Sequence, residues 1–258
     1  MLSPLEQFEV NSLIALPLFG EDLSEKIVFV LFSNMNLFTL IVVSVILLFY
    51  RYLSKHTYLV PNITIQAFSE KILGFIKSLV RENTAAKYRI LMVFVPYVLT
   101  VFAFILTSNF VGMVPYSFTV TSSLAITLAI AGASFIGINI FGARIHKLGF
   151  FALFLPPGCP IFISPFIILI ETVSYAARVL SLAIRLFANM MAGHTLLKIL
   201  AGFAWQMLGS GGIWLIIGLA PIAIISAVSV LELAVAFLQT YVFTVLICLY
   251  IKDAAELH

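Results

Sequence analysis

Long apolar segments, separated by short polar ones, follow each other along the chain. Residues 27–50, 90–114 and 118–141 have the length and the Leu, Ile, Phe and Ala content of helices that cross a bilayer. Two longer segments, 161–208 and 213–251, carry isolated polar and charged residues. A helix over the first of these would be about 70 Å long, against a hydrocarbon core of about 30 Å. We therefore expect both long helices to be strongly tilted, bent or broken.

The polar segments predict the connections. The glycine-rich residues 209–212 predict a tight turn between the two long helices, and Pro221 predicts a kink in the second. Residues 63–89 place charged and apolar side chains on opposite helical faces, which predicts an amphipathic helix on the membrane surface. Prolines within 148–165 predict an irregular start to the first long helix. The mixed, acidic residues 1–26 predict a lead-in outside the membrane.

These patterns predict an all-α integral membrane protein. We expect one spanning helix, an inner-surface amphipathic helix, a two-helix hairpin, and a pair of long, strongly tilted membrane helices. The whole chain is taken as a single polytopic membrane domain. Its expected parts are 1–26 (outer lead-in), 27–50 (first span), 63–89 (amphipathic surface helix), 90–141 (two-span hairpin) and 161–251 (long tilted hairpin).

Composition supports a membrane protein of the helical kind. Hydrophobic residues make up 62% of the 258 and charged residues 10%, against about 25% charged in soluble domains. The apolar segments also lack the alternation of lipid-facing barrel strands. The bilayer is therefore an expected partner of this chain.

The distribution of charge predicts the orientation. Basic residues concentrate at 51–89, at Arg144 and Lys147, and at Lys252, whereas 1–26 carries five acidic residues and one lysine. By the positive-inside rule, the N-terminus lies outside and the C-terminus inside. The basic residues flank spans, so nucleic acid is not an expected partner.

The sequence contains no motif typical of a cofactor-binding site. Cys159 and Cys248 stand in apolar surroundings without metal-ligand spacing, which favours small buried side chains. There is no Gly-rich phosphate loop, so we expect no directly bound nucleotide. We expect no cofactor, no metal and no catalysis by the chain itself.

Arg185 stands in the middle of the first long apolar segment. An arginine at mid-bilayer costs about 2.5 to 3.5 kcal/mol on insertion scales, so it is by default a candidate for function. Glu171, Arg178 and Arg185 are spaced by seven residues and share one helical face, while His194 points almost to the opposite side. The long helix therefore carries one ionic stripe.

Counting outward from the turn at Gly211 brings polar residues of the two long helices opposite each other. The pairs are Arg185 with Gln239, Asn189 and His194 with Glu232, and Glu171 with Asp253. A carboxylate and an imidazole can relay protons near neutral pH, whereas arginine keeps its proton and can hold a carboxylate ionised. The arrangement predicts an outer and an inner aqueous pocket separated by one fixed positive charge. A structural ion pair between Arg185 and Glu232 is the alternative.

Five stretches resemble subunit a of the F-type ATP synthase. The segment 181–189 reads SLAIRLFAN, which is similar to the family pattern Ser-Leu-x-x-Arg-Leu-x-x-Asn, and AGH follows at 192–194. LQ at 238–239 is similar to the last-helix glutamine of the family. YIKDA at 250–254 resembles mitochondrial members, and SPLEQFE at 3–9 resembles fungal mitochondrial ones.

The resemblance implies a proton-translocating stator subunit of the membrane sector. It implies that Arg185 opposes the carboxylates of a rotating c-subunit ring, that His194 and Glu232 line an outer half-channel, and that Glu171 and Asp253 line an inner one. The implied partners are the c ring and the other F0 stator and peripheral-stalk subunits. The implied location is the mitochondrial inner membrane, with the N-terminus in the intermembrane space and the C-terminus in the matrix.

Two departures from bacterial members concern the same region. His194 and Glu232 stand in reversed order relative to bacterial members, as in mitochondria, and Ala188 replaces a common glycine. Lys198 falls where neighbours are usually apolar, and by itself it is typical of a side chain that reaches to the outer surface.

Two other classes of membrane protein fit the sequence less well. A self-contained ion-coupled transporter usually shows inverted repeats with matching broken helices, which the sequence lacks. A voltage sensor needs an arginine-rich run, whereas Arg178 and Arg185 stand alone. Copurification with a ring of very apolar hairpins would separate the first class from both others.

Overall fold

The structure, a computed structural model, describes residues 6–17, 28–55, 64–84, 88–114, 117–147, 163–211 and 218–255. α-Helices dominate these residues, and each has at least 21 residues. They are α1 (Asn34–Lys55), α2 (Thr64–Thr84), α3 (Tyr88–Gly112), α4 (Leu124–His146), α5 (Ser164–Gly209) and α6 (Leu219–Ala255). The all-α class predicted from the sequence is confirmed at this level.

Five of these helices are long and apolar enough to cross a membrane: α1, α3 over Phe94–Gly112, α4, α5 and α6. Their large apolar side chains are widely exposed, as for Leu48 (65%), Val230 (70%) and Trp205 (80%). Such surfaces are stable against lipid and would be costly in water. The chain is therefore a membrane-embedded helical protein.

Two strands precede α1 and were not predicted. β1 (Ser12–Pro17) and β2 (Val28–Ser33) pair antiparallel, with Ser12 opposite Ser33 and Pro17 opposite Val28. The first span was predicted over 27–50, and that start is wrong because β2 occupies it.

A capping interaction explains where α1 begins. The hydroxyl of Ser33 accepts a hydrogen bond from the backbone N–H of Asn36 at 3.3 Å, which satisfies one of the free donors at a helix N-terminus. The side chain of Asn34 also donates to the backbone carbonyl of Glu9 at 3.0 Å. The helix then continues five residues beyond the predicted end, to Lys55.

The central hairpin differs from its predicted bounds mainly in its second helix, which starts later than 118 and ends later than 141, at His146. α3 follows the predicted second span closely and contains Pro96 without interruption. The third span was predicted from 118, but α4 begins at Leu124 because a 3₁₀ turn at Val120–Ser122 occupies the connection. Residues 117–123 thereby remain outside the helix and carry polar side chains of the site described below.

The two long helices have the predicted lengths. α5 is continuous over 46 residues and ends at Gly209, and Gly211 has φ of 69°, a conformation that favours glycine. Pro221 lies in the first turn of α6, where its missing N–H removes no intrahelical bond, so the predicted kink is wrong. The irregular start predicted at 148–165 lies outside the described residues up to 162, while Ser164 and Pro165 already belong to the first turn of α5. Most of the predicted lead-in, residues 1–5 and 18–26, also lies outside the described residues.

Residue contacts divide the chain into two compact units. The first comprises Met1–Arg51, Phe104–Ser123 and Ala188–Phe237, and the second comprises Tyr52–Ala103, Leu124–Phe187 and Leu238–His258. α3, α5 and α6 each contribute residues to both units. The expectation of one polytopic domain stays a prediction.

Aromatic and aliphatic side chains form the core of the second unit. Ile76 and Val80 of α2 are fully buried, while Lys71 and Lys77 on the same helix are exposed. This asymmetry is the one that the amphipathic pattern predicts. The rings of Phe94 and Phe141 pack edge to face with centroids 4.6 Å apart, which joins α3 to α4.

Candidate functional site

A buried imidazole and a buried carboxylate face each other in the first unit. His194 of α5 places Nε2 3.7 Å from Oε1 of Glu232 of α6, and their side chains are 16% and 5% exposed. Neither carboxylate oxygen of Glu232 accepts a hydrogen bond from a described residue. This distance is longer than that of a hydrogen bond. A small movement of either side chain would bring the two groups within hydrogen-bond distance, where a proton can pass between them.

Gly193 makes this approach possible. A Cβ built at Gly193 would lie 2.6 Å from Oε1 of Glu232 and 3.0 Å from its Cδ. Any larger side chain would therefore have to displace the carboxylate. The absence of a side chain at Gly193, one residue before His194, lets α6 bring Glu232 against α5.

Polar side chains of α3 and of residues 117–123 complete this cluster. Nε2 of His194 lies 3.2 Å from Oγ1 of Thr119. The fully buried Asn109 donates to the backbone carbonyl of Ala236 at 3.2 Å and accepts a hydrogen bond from Thr121 at 2.8 Å. Four separate chain segments thus supply a polar interior to an otherwise apolar unit.

Arg178 joins two carboxylates in the second unit. Its guanidinium lies 3.7 Å from Oε1 of Glu171, seven residues earlier on the same face of α5, and 3.7 Å from Oδ2 of Asp253 of α6. All three side chains are about 40% exposed, so water can reach the group. The sequence placed Glu171 near Asp253, and the structure brings them together through Arg178.

A cavity of 610 Å³ opens beside this ion-pair network. Its polar lining combines two arginines with a carboxylate, two hydroxyls and a phenol, and its apolar lining comes mainly from leucines. These residues are Ser174, Ala177, Arg178, Ser181, Leu182, Arg185, Leu246, Leu249, Tyr250 and Asp253. Its volume is large enough for several water molecules, and its charged and hydroxyl side chains offer hydrogen-bond partners for them.

Arg185 is exposed on α5 at the edge of this cavity. It forms no ion pair with a described residue of its own unit, in contrast to Arg178, one ionic repeat earlier. The exposed guanidinium is therefore accessible to an acidic group from outside the described residues of this unit. Among the described residues, no group of three His, Cys, Asp or Glu side chains could hold a metal ion.

Known proteins are similar to this chain along nearly its whole length. The family model described as ATP synthase A chain matches residues 28–252. The chain belongs to that family. It shares 46% identity with the ATP synthase subunit a of Marchantia polymorpha over 257 residues, which cover 99% of each chain.

Relatives of the same description come from distant organisms. The subunit a of Brassica napus is 46% identical over 260 residues, covering 99% of this chain and 97% of the relative. The subunit a of Rhodospirillum rubrum is 39% identical over 258 residues, covering 100% of both. Membership in the subunit a family makes the chain a proton-channel membrane subunit rather than a catalytic one, and the fungal and mitochondrial detail stays a prediction.

The remaining candidate residues of this subunit lie in different surroundings. Gln239 of α6 is 2% exposed and belongs to the second unit, whereas Asn189 of α5 is half-buried and belongs to the first. The expected pairing of Gln239 with Arg185 stays a prediction. Lys198 is half-buried, one turn beyond His194.

Sequence reasoning missed Thr119, Thr121 and Asn109 of the first cluster. Asn109 had a usable signal, since an amide inside an apolar span needs a partner. The threonines had none, because they lie in a connection that the hydrophobic pattern assigned to a helix. In the second unit, Tyr175 was also missed, and its hydroxyl donates to Oδ1 of Asn139 at 2.9 Å.

Proposed function

We propose that this chain is the proton-translocating stator subunit of an F-type ATP synthase. Two aqueous half-channels, one in each unit, would carry protons to and from the carboxylates of a rotating c-subunit ring. Membership in the subunit a family supports the general role. The two polar clusters support the specific mechanism, because each offers titratable or hydrated groups within apolar helices.

The outer half-channel is assigned to His194 and Glu232, with Asn189 on the same helix. The imidazole and carboxylate are buried and face each other at 3.7 Å, and both are groups that can take up and release a proton. A proton arriving from outside can thus pass from one to the other before it reaches the ring. Asn109 and the two threonines supply uncharged polar walls.

The inner half-channel is assigned to the cavity beside Arg178. Glu171 and Asp253 are held at its wall by the same guanidinium, and both are about 40% exposed. Carboxylates that water can reach are able to take up protons from the ring and pass them to the water. Arg178 lies 3.7 Å from each of them and offsets their mutual repulsion.

The proposal rests mainly on one observation, the exposed guanidinium of Arg185. This guanidinium is exposed in a membrane helix and forms no ion pair with a described residue of its own unit. A carboxylate supplied by another chain would neutralise it. Since arginine retains its proton, it would hold that carboxylate ionised and interrupt a continuous path for protons. Gln239 is expected to face the same carboxylate.

Rotation follows from the charge of the ring carboxylate. Protonation from the outer half-channel makes it neutral, so it can enter lipid, where an ionised carboxylate is strongly disfavoured. After nearly a full turn it loses the proton to the inner half-channel and becomes ionised opposite Arg185. Each proton crossing supplies about 2.3 kcal/mol per 100 mV, so several must be combined for one ATP.

The proposal includes a location and an orientation. The basic connections and the resemblance favour the mitochondrial inner membrane, with the N-terminus in the intermembrane space and the C-terminus in the matrix. α2 would lie on the inner surface, and α5 and α6 would be strongly tilted, since α5 has 46 residues. The other F0 stator and peripheral-stalk subunits would be its fixed partners.

Cysteine labelling from each side of sealed, oriented vesicles tests the two half-channels. Cys159 and Cys248 are first replaced by serine, and then Ser229→Cys, one turn from Glu232, and Ser181→Cys, in the cavity wall, are introduced singly. A water-soluble thiol reagent should modify the first only from outside and the second only from inside. Ser44→Cys in α1 is the matched control and should stay unmodified from both sides.

Modification of both cysteines from the same side would mean one continuous pore and would refute the mechanism. Copurification with a ring of apolar hairpins is the second requirement. A subunit that transports protons alone, without the ring, would favour a self-contained transporter instead.

A further inference from the structure

The Nε2 atom of His194 faces two oxygens at once. Oγ1 of Thr119 lies 3.2 Å away, and Oε1 of Glu232 lies 3.7 Å away. Only the first distance is that of a hydrogen bond. In this structure the imidazole is therefore hydrogen-bonded to Thr119 and makes no hydrogen bond to Glu232.

The hydroxyl of Thr119 also lies 3.5 Å from the backbone carbonyl of Gly112, to which it can donate its single hydrogen in a long hydrogen bond. In that arrangement the hydroxyl accepts from His194. Nε2 of His194 then carries a hydrogen, and Nδ1 is the nitrogen that can receive a further proton.

Gly112 keeps Thr119 in this place. A Cβ built at Gly112 would lie 2.5 Å from Cγ2 and 2.8 Å from Oγ1 of Thr119, distances that real side chains do not tolerate. Thr119 itself is 4% exposed, and the end of α3 backs it. The hydroxyl is thus fixed by packing as well as by hydrogen bonding.

We propose that Thr119 is a positioning residue for His194, which holds the proton-bearing Nε2 beside Glu232 without letting the two form a lasting hydrogen bond. The inference rests on the proposed role of His194 and Glu232 in proton transfer. A ring movement of about 0.8 Å would bring Nε2 to the usual distance of about 2.9 Å from the carboxylate. Thr119 opposes that movement and returns the ring after each transfer.

Removal of the hydroxyl tests this role in the assembled complex. Thr119→Val keeps the shape of the side chain and should lower ATP-driven proton transport by about three- to tenfold, the effect of one lost hydrogen bond on a transfer step. Thr119→Ser restores the hydroxyl and should restore most of the rate. Thr244→Val is the matched control, because the buried hydroxyl of Thr244 donates only to its own helix, to the carbonyl of Thr240 at 2.7 Å.

A spectroscopic measurement separates positioning from simple structural damage. In complexes labelled with ¹⁵N-histidine, the signal of His194 is identified by its loss in His194→Gln. The distance from its Nε2 to the labelled carboxylate of Glu232 should shorten in Thr119→Val and keep its wild-type value in Thr119→Ser. Gly112→Ala keeps the hydroxyl but displaces it, and should behave like Thr119→Val.

The outcomes distinguish this inference from the proposed function. Wild-type transport and an unchanged His194 signal in Thr119→Val would overturn the inference, as would equal losses in Thr119→Val and Thr119→Ser. The signal does not depend on transport. If His194→Gln transports protons normally, the proposed function fails, whatever the signal shows in the Thr119 variants.

Discussion

Adding one methyl group at Gly193 tests the outer cluster without changing any charge. In Gly193→Ala, the new Cβ would lie 2.6 Å from Oε1, 3.0 Å from Cδ and 3.3 Å from Cγ of Glu232. An ordinary contact needs about 3.4 Å or more, so the carboxylate must move by nearly 1 Å. Since the atoms are at the end of a flexible side chain, Glu232 can rotate away and the protein can still fold.

The expected effect is therefore on transport rather than on stability. Alanine gains about 1 kcal/mol of helix propensity over glycine, which offsets much of the packing cost. Returning Glu232 to its position opposite His194 would require a strained rotamer, at about 0.5–1.5 kcal/mol. That cost corresponds to about a two- to tenfold lower rate of proton transfer.

The assay is ATP-driven acidification of sealed vesicles, normalised to the amount of assembled complex. Gly202→Ala is the matched control, since it lies on the same helix and a Cβ there meets nothing within 4 Å. Gly202→Ala should assemble and transport like the wild type. If both variants transport equally well, the position of Glu232 beside His194 does not matter and the reasoning is wrong.

Three further changes test the charged residues. Arg185→Lys should abolish coupled ATP synthesis in assembled complexes, because lysine can lose its proton on burial and lacks the planar guanidinium; a normal synthesis rate would exclude the barrier role. Replacing both His194 and Glu232 by leucine should reduce proton flux no more than the worse single change, whereas additive losses would indicate independent roles. Arg178→Gln should slow proton release, and Arg178→Lys should retain part of the wild-type rate, measured as ATP synthesis per complex. Equal rates in both variants and the wild type would exclude a role for the ion pairs with Glu171 and Asp253.

The helices were predictable because their signals are local. A run of apolar residues longer than the bilayer core requires internal backbone hydrogen bonding, and only a helix provides it within one segment. The end of α5 at Gly209 was equally local, since Gly211, with φ of 69°, has a conformation that other residues rarely adopt. Heptad spacing placed Glu171 and Arg178 on one face, and they form an ion pair at 3.7 Å.

Local signals failed where two structures fit the same pattern. The run Val28–Ser33 is apolar and rich in β-branched and aromatic residues, so it suits a strand as well as the start of a helix. In the structure this run is a strand because it pairs with Ser12–Pro17. Ser33 at its end caps the N-terminus of α1. Likewise, Pro221 predicts a kink only inside a helix, and its place in the first turn of α6 removes that effect.

The sequence by itself determined which residues had to find partners, since buried charges and amides in lipid are too costly to leave alone. Only the tertiary structure decided which partners they found. Thr119 and His194 are 75 residues apart and meet because Gly112 admits the threonine and Gly193 admits Glu232. Such contacts depend on how the helices pack. A single glycine that lets two segments approach closely produces no repeating pattern in the sequence from which the contact could be predicted.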